Sequence, residues 1–166
     1  MSAAGREIEQ RSRRRFVRTM IAAGAVGGAP GVRGQTEGRV SGFDHVALPM
    51  QNTDAMLSFY RALGFSMREN ANAVSVFVGN QMINFHRPGF WQSGSFTLRA
   101  SAARPPCGDL CFVWDGTLDG IRGLLTRVGA AIEVGPVERP GGRQATGTSV
   151  YTRDPDGNLL EFIIYP

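Results

Sequence analysis

The spacing of apolar residues along the chain changes period several times, and the changes come in the same order twice. Phe43 to Leu48 reads as a short apolar strand carrying Asp44 and His45. Asn52-Thr53-Asp54 then supplies a helix start, Met56, Phe59, Tyr60 and Leu63 recur at helical spacing, and Gly64 marks the stop. Strands are predicted over residues 65–69, 73–78 and 82–86. The second half begins with a strand at 109–114. It continues with a helix capped near Thr117, with Leu118, Ile121, Leu124, Leu125 and Val128 apolar and Gly129 as the stop. Strands near 131–134, 147–152 and 159–165 complete it. Each half is therefore a βαβββ module, one over about 41–87 and the other over about 107–166. Neither module alone could bury both faces of its sheet. Two side by side, with the helices outside, predict an α+β fold shaped as a half-open β-cup lined from both halves. Residues 87–106, rich in Gly, Ser and Pro and carrying Phe90, Trp91 and Phe96, read as a long connection draped over that cup. Residues 138–148, with Pro140-Gly141-Gly142 and Arg143, read as a mobile loop at its mouth.

A strand has a side-chain period of two, which decides what can face inward together. Asn84 shares a face with His86, Asp109 with Cys111, and Glu161 with Ile163. Asp154-Pro155-Asp156-Gly157-Asn158 is a tight-turn cluster that feeds the last strand, and that strand carries one carboxylate, Glu161. A carboxylate among apolar neighbours is costly unless it is paired, protonated or bound to a cation. His45 and His86, the chain's two histidines, lie on two other strands. Together with Glu161 they form a two-histidine, one-carboxylate set able to hold a divalent ion: Fe(II) or Mn(II) with open positions, or Zn(II) or Ni(II). Each has a plainer alternative: His45 as a hydrogen-bonded core residue, His86 as an exposed strand end, Asp109 as a turn cap or partner of an Arg. Met50, Met56 and Met67 read as core fillers rather than soft-metal ligands.

The segments Phe43 to Leu48, Phe59-Tyr60-Arg61-Ala62-Leu63-Gly64-Phe65, Gly79 to His86, Asp109-Leu110-Cys111-Phe112, Glu133 to Arg139 and Arg153 to Glu161 resemble, in that order, the vicinal-oxygen-chelate superfamily. This superfamily includes glyoxalase I, extradiol dioxygenases and the fosfomycin- and bleomycin-resistance proteins, and the chain is most similar to its small glyoxalase-domain members. The resemblance covers about residues 41–166 and implies the glyoxalase/bleomycin resistance/dioxygenase fold. In the metal-binding members, the first and fourth strands of each module each give one ligand. Those positions fall here at His45, Asn84, Asp109 and Glu161. Asn84 replaces the Glu of glyoxalase I, and Asp109 replaces a common His, so His86 is expected to supply the missing imidazole. The implied chemistry is chelation of a small substrate through two adjacent oxygens by one divalent metal ion. Asn84 cannot act as the base an isomerase needs, and Asp109 is the inward acid left beside Glu161. For ring cleavage, Tyr151 is a candidate acid-base group. The rival class is a metal-free binding module of the bleomycin-resistance type, with Trp91, Trp114 and the acids lining the cup. The resemblance also implies a homodimer with sites shared between modules.

Charge separates a leader from this domain. Residues 1–34 hold seven Arg against Glu7 and Glu9, a net +5, while residues 35–166 hold eleven Arg against twelve acids, a net −1. The basic pI thus belongs to the leader, and nothing in the domain suggests a nucleic-acid partner. There is no Lys, which excludes lysine Schiff-base chemistry. No apolar run is long enough for an ordinary membrane span. Ser12-Arg13-Arg14-Arg15-Phe16-Val17-Arg18 followed by a Gly-rich apolar stretch resembles a twin-arginine export signal, so residues 1–34 are expected to direct export to the periplasm, with 35–40 as a linker. A basic leader on a cytoplasmic protein is the alternative. Cys107 and Cys111 lie four residues apart on or beside one strand, about 13 Å along it, whereas a disulfide needs Cα atoms within about 7 Å. Both are expected to be free thiols, buried as small apolar groups.

Overall fold

The computed structural model describes residues 38–166, of which Ser41–Pro166 form one compact unit. The leader expected over 1–34 lies outside the described residues, as do residues 35–37 of the linker. Eleven elements follow in chain order: β1 (His45–Pro49), α1 (Thr53–Ala62), β2 (Ser66–Glu69), β3 (Ala73–Val78), β4 (Gln81–His86), α2 (Pro88–Trp91), β5 (Asp109–Val113), α3 (Leu118–Arg127), β6 (Val134–Pro140), β7 (Thr146–Arg153) and β8 (Leu159–Ile164). They build two four-stranded sheets of the same design, ordered β1-β4-β3-β2 and β5-β8-β7-β6. In each, the first strand pairs parallel with the last and the other pairs are antiparallel. The repeat expected from the apolar spacing is thus a repeat of topology, and the fold is the α+β double module.

Both long helices end as their sequences predict. Gly64 and Gly129 take φ of +93° and +73° just past α1 and α3, a left-handed conformation that glycine adopts without strain. Thr117 caps α3, its hydroxyl accepting from the Gly120 amide at 3.1 Å. Each sheet turns one face to a common core made by Leu48, Val74, Val76, Ile83 and Phe85 from the first sheet, Phe112, Val150, Leu160 and Phe162 from the second, and Met56, Tyr60, Ile121 and Leu125 from the helices. Met50 and Met56 are fully buried there, as fillers. On the opposite faces His45, Ala47, Asp109 and Cys111 are exposed, whereas Ser149 and Ile163 are buried.

The cluster read as a β-turn does join β7 to β8, with the Gly157 amide bonded to the Asp154 carbonyl at 2.9 Å. Its side chains do more than shape the turn. Asp156 accepts from the amides of Gln51 and Asn52 at 2.6 and 2.8 Å and from Asn52 Nδ2 at 2.9 Å. Asn52 is the N-cap of α1 and makes no side-chain cap of its own, so a carboxylate of the second module caps the helix of the first. Asp154 Oδ2 accepts from the Tyr60 hydroxyl at 3.0 Å and from Asn158 Nδ2 at 2.9 Å, while Oδ1 accepts from the amides of Asp156 and Asn158. Burial raises the Asp154 carboxyl above its ordinary value against the pull of these hydrogen bonds. Asn158 Oδ1 then accepts from the Cys107 and Gly108 amides at 3.0 and 2.8 Å, anchoring the entry to β5.

Two expectations are corrected. Residues 138–148 are not one loop, only 141–145 lying outside strands, and the strand expected near 131–134 runs instead over Val134–Pro140 as β6, paired with β7 with an irregularity in register between Val134 and Val137. The segment 87–106 is also anchored: α2 buries Trp91, whose Nε1 donates to the Met50 carbonyl at 2.8 Å. No helix among the described residues is long and apolar enough to cross a membrane.

Candidate functional site

The register of the parallel pairs places the candidate residues. Across β1 and β4, His45 stands opposite Met82, Ala47 opposite Asn84 and Pro49 opposite His86. Across β5 and β8, Asp109 stands opposite Leu159 and Cys111 opposite Glu161. Asn84 is therefore two register positions beyond His45, and Glu161 two beyond Asp109. The two modules hold a polar pair at equivalent positions, and both pairs lie on the faces turned away from the core.

His86 does not belong to this pattern. It is four register positions from His45, about 13 Å along the sheet, and strand side chains stand roughly perpendicular to it. Two ligands of one ion need their donor atoms within about 4 Å of each other, so the expected set of His45, His86 and Glu161 does not form within the chain. Among the described residues no three His, Cys, Asp or Glu side chains gather as a metal centre. His86 sits instead among aromatics, edge-on to Phe90 and Phe96, and burial lowers its pKa. His45 is exposed and pairs through Nδ1 with Asp44 at 2.6 Å.

Glu161 is half-buried and well partnered. Its Oε1 accepts from Ser149 Oγ at 2.5 Å, so its place in an apolar strand does not by itself require a cation. Tyr151 lies directly opposite on β7, and its hydroxyl accepts from Arg139 Nε at 3.2 Å. Burial raises the Tyr151 phenol, as does the adjacent Glu161 carboxylate, while Arg139 opposes the shift. Tyr151 therefore shares the inner face with Glu161. Cys111 also faces this carboxylate; desolvation first, then Glu161 and Asp109, push its thiol up to about 12. Both cysteines are free, as expected, but they are exposed rather than buried. Ser149 was missed by sequence reading, because a lone serine in a strand carries no signal until the β7–β8 register is known.

The aromatic lining differs from expectation. Trp91 is buried and Trp114 donates its indole N–H to the Thr117 carbonyl at 3.1 Å beside the start of α3, so the two tryptophans do not form a shared cup lining. Phe90 and Phe96 wall a cavity of about 530 Å³ on the first module's inner face.

No protein-family model matches the chain. Virulence protein STM3117 of Salmonella typhimurium is 36% identical over 126 residues, covering 74% of this chain and 83% of that protein. The glyoxalase domain-containing protein RDO1 of Mycosarcoma maydis is 33% identical over 136 residues, covering 80% and 73%. Among solved structures, the integron cassette protein VCH_CASS1 of V. cholerae superposes with a TM-score of 0.68 at 32% identity, over 78% of this chain and 99% of that one. Lactoylglutathione lyase from Agrobacterium tumefaciens, at a TM-score of 0.56, 22% identity, and 75% and 94% coverage, shares the fold.

Proposed function

The chain belongs to the vicinal-oxygen-chelate superfamily, and from that premise we propose that it is a divalent-metal-dependent enzyme of the lyase or dioxygenase type, acting on a small substrate with two adjacent oxygens. The observation that carries this reading is the equivalence of His45 and Asn84 on β1 and β4 with Asp109 and Glu161 on β5 and β8. One imidazole, two carboxylates and an amide oxygen form a hard, oxygen-rich donor set that suits Mn(II) or Fe(II) and accepts Zn(II) or Ni(II). Each module offers two of these donors on the face turned away from the core, so the proposal includes a homodimer in which the first module of one copy faces the second module of its partner. When bound, the ion would supply Lewis-acid polarisation of a substrate oxygen. The chain's own part is to hold that ion: Ser149 fixes the Glu161 carboxylate, and Arg139 holds the Tyr151 hydroxyl beside it as an acid-base group.

The test is the metal content of the full-length protein, together with the spectrum of added 4-nitrocatechol. About one ion per site and a shifted catechol spectrum are expected; metal-free protein that cannot be loaded with any of the four ions sinks the reading. Asn84 also predicts little or no isomerase activity on the methylglyoxal–glutathione adduct, rising from near zero in Asn84→Glu. Robust wild-type isomerase activity would show that Asp109 or Glu161 already serves as the base. The cavity walled by Phe90 and Phe96 favours a second reading, a metal-free small-molecule binding module, which predicts ligand binding indifferent to chelators.

Export belongs to the same proposal and rests on Ser12 to Arg18. Replacing Arg13 and Arg14 by Lys is expected to strand a full-length reporter fusion in the cytoplasm. Unchanged export of that fusion would remove the motif's assigned role.

A further inference from the structure

The cavity on the first module's inner face holds more than the metal reading uses. Phe90, at the end of α2, and Phe96, in the connection to β5, stack with ring centroids 4.1 Å apart and planes at 28°. The His86 ring meets both edge-on, at 5.3 and 5.0 Å and at 89° and 85°. None of the three packs into the core beneath the sheet; they stand over its opposite face. A polar row crosses the cavity beside them. Ser75 Oγ donates to Asn84 Oδ1 at 3.3 Å, which turns Asn84 Nδ2 toward His86 Nε2, also at 3.3 Å. In this arrangement the Asn84 amide donates to Nε2. An aromatic wall on one side and an ordered row of donors and acceptors on the other is the lining of a site for a flat ring with a polar edge. The site is an open depression of about 530 Å³ rather than an enclosed pocket, with room for one ring against the sheet face.

We propose that this cavity is the recognition slot for an aromatic ring of the ligand, with Phe90 and Phe96 packing against the ring and the Asn84–His86 row hydrogen-bonding a hydroxyl on its edge. His86 is then a specificity residue rather than a metal ligand. The inference rests on the reading of this inner face as the substrate side, but on no bound ion. It gives the substrate of the proposed enzyme a chemical class: a phenolic ring, presented to the position of His45 from the His86 end of β4.

The experiment titrates full-length, chelator-treated protein with 4-nitrophenol and, separately, with nitrobenzene, following tryptophan fluorescence at a pH where the phenol is protonated. Saturable binding of both is expected, the phenol more tightly. Phe96→Leu keeps apolar bulk but loses the aromatic face, and it is expected to weaken both probes about ten-fold. His86→Leu should weaken the phenol and leave nitrobenzene nearly unchanged, a split that a merely structural role would not produce. Arg122→Ala, exposed on α3, serves as the unaffected control. No saturable binding to the wild type, or equal affinity in wild type and Phe96→Leu with an unchanged circular dichroism spectrum, overturns the slot. If 4-nitrophenol binds as expected while 4-nitrocatechol gives no metal-dependent spectrum, the slot stands and the metal reading alone fails.

Discussion

Asp156→Ala is expected to lower the unfolding free energy by about 3–5 kcal/mol, an unusually large loss for a residue in a turn. Its carboxylate is buried and accepts three hydrogen bonds from the segment that starts α1, two of them from backbone amides that have no other cap. Hydrogen bonds to a charged acceptor contribute about 1.5–3 kcal/mol each, and deleting the acceptor also leaves the Gln51 and Asn52 amides without a partner. These bonds are not additive, which is why the estimate stays well below their sum. Asp156→Asn keeps one oxygen that can accept, so about half the loss is expected. Asp119→Ala, an exposed acid in the first turn of α3, should change stability by less than about 0.5 kcal/mol. Urea denaturation of the three full-length variants decides it. A midpoint for Asp156→Ala close to that of Asp119→Ala would mean that the modules do not depend on this cap.

The same residue shows where sequence reading stops. Pro155 and Gly157 announce a turn, and Asp and Asn are at home in turns because they bond their own backbone. What the sequence does not carry is that Asp156 accepts from residues more than a hundred positions away, because that depends on how the second module docks on the first. The two long helices, α1 and α3, were legible to within a residue or two, since apolar spacing, Thr117 and the two stop glycines agree. β6 was not. Its residues are nearly all exposed, so it shows no alternation, and Pro136 and Pro140 argue against a strand unless it lies at a sheet edge, where the missing amides go unneeded. The site failed in a related way. Period two correctly put Asn84 and His86 on one face, yet the distance from His86 to His45 is set by the register of β1 against β4, and no local pattern encodes a register between strands joined by a helix and two further strands.

Loss of a donor at His45 or Glu161 should have a larger effect than any change around them. Outer partners of metal ligands typically cost 10–100-fold in affinity when removed, so Ser149→Ala, which frees the Glu161 carboxylate, is expected to weaken metal binding by about that much. Direct donors should cost more: His45→Ala and Glu161→Gln are each expected to lower affinity by at least about a hundred-fold, while His86→Ala keeps its metal. Equilibrium dialysis of Mn(II) against the full-length variants measures this, and full occupancy in Glu161→Gln would leave the donor set untenable. Mixing the two defective chains then asks where the site lies. If each site joins the first module of one copy to the second module of its partner, a mixed dimer of His45→Ala with Glu161→Gln holds one intact site and one doubly defective site. Random pairing of equal amounts should restore about a quarter of wild-type occupancy. A site built within one chain restores none, because every chain in the mixture then carries a broken donor set. The faces of both modules turned away from the core, each with one matched pair of polar residues, are the reason to expect the former.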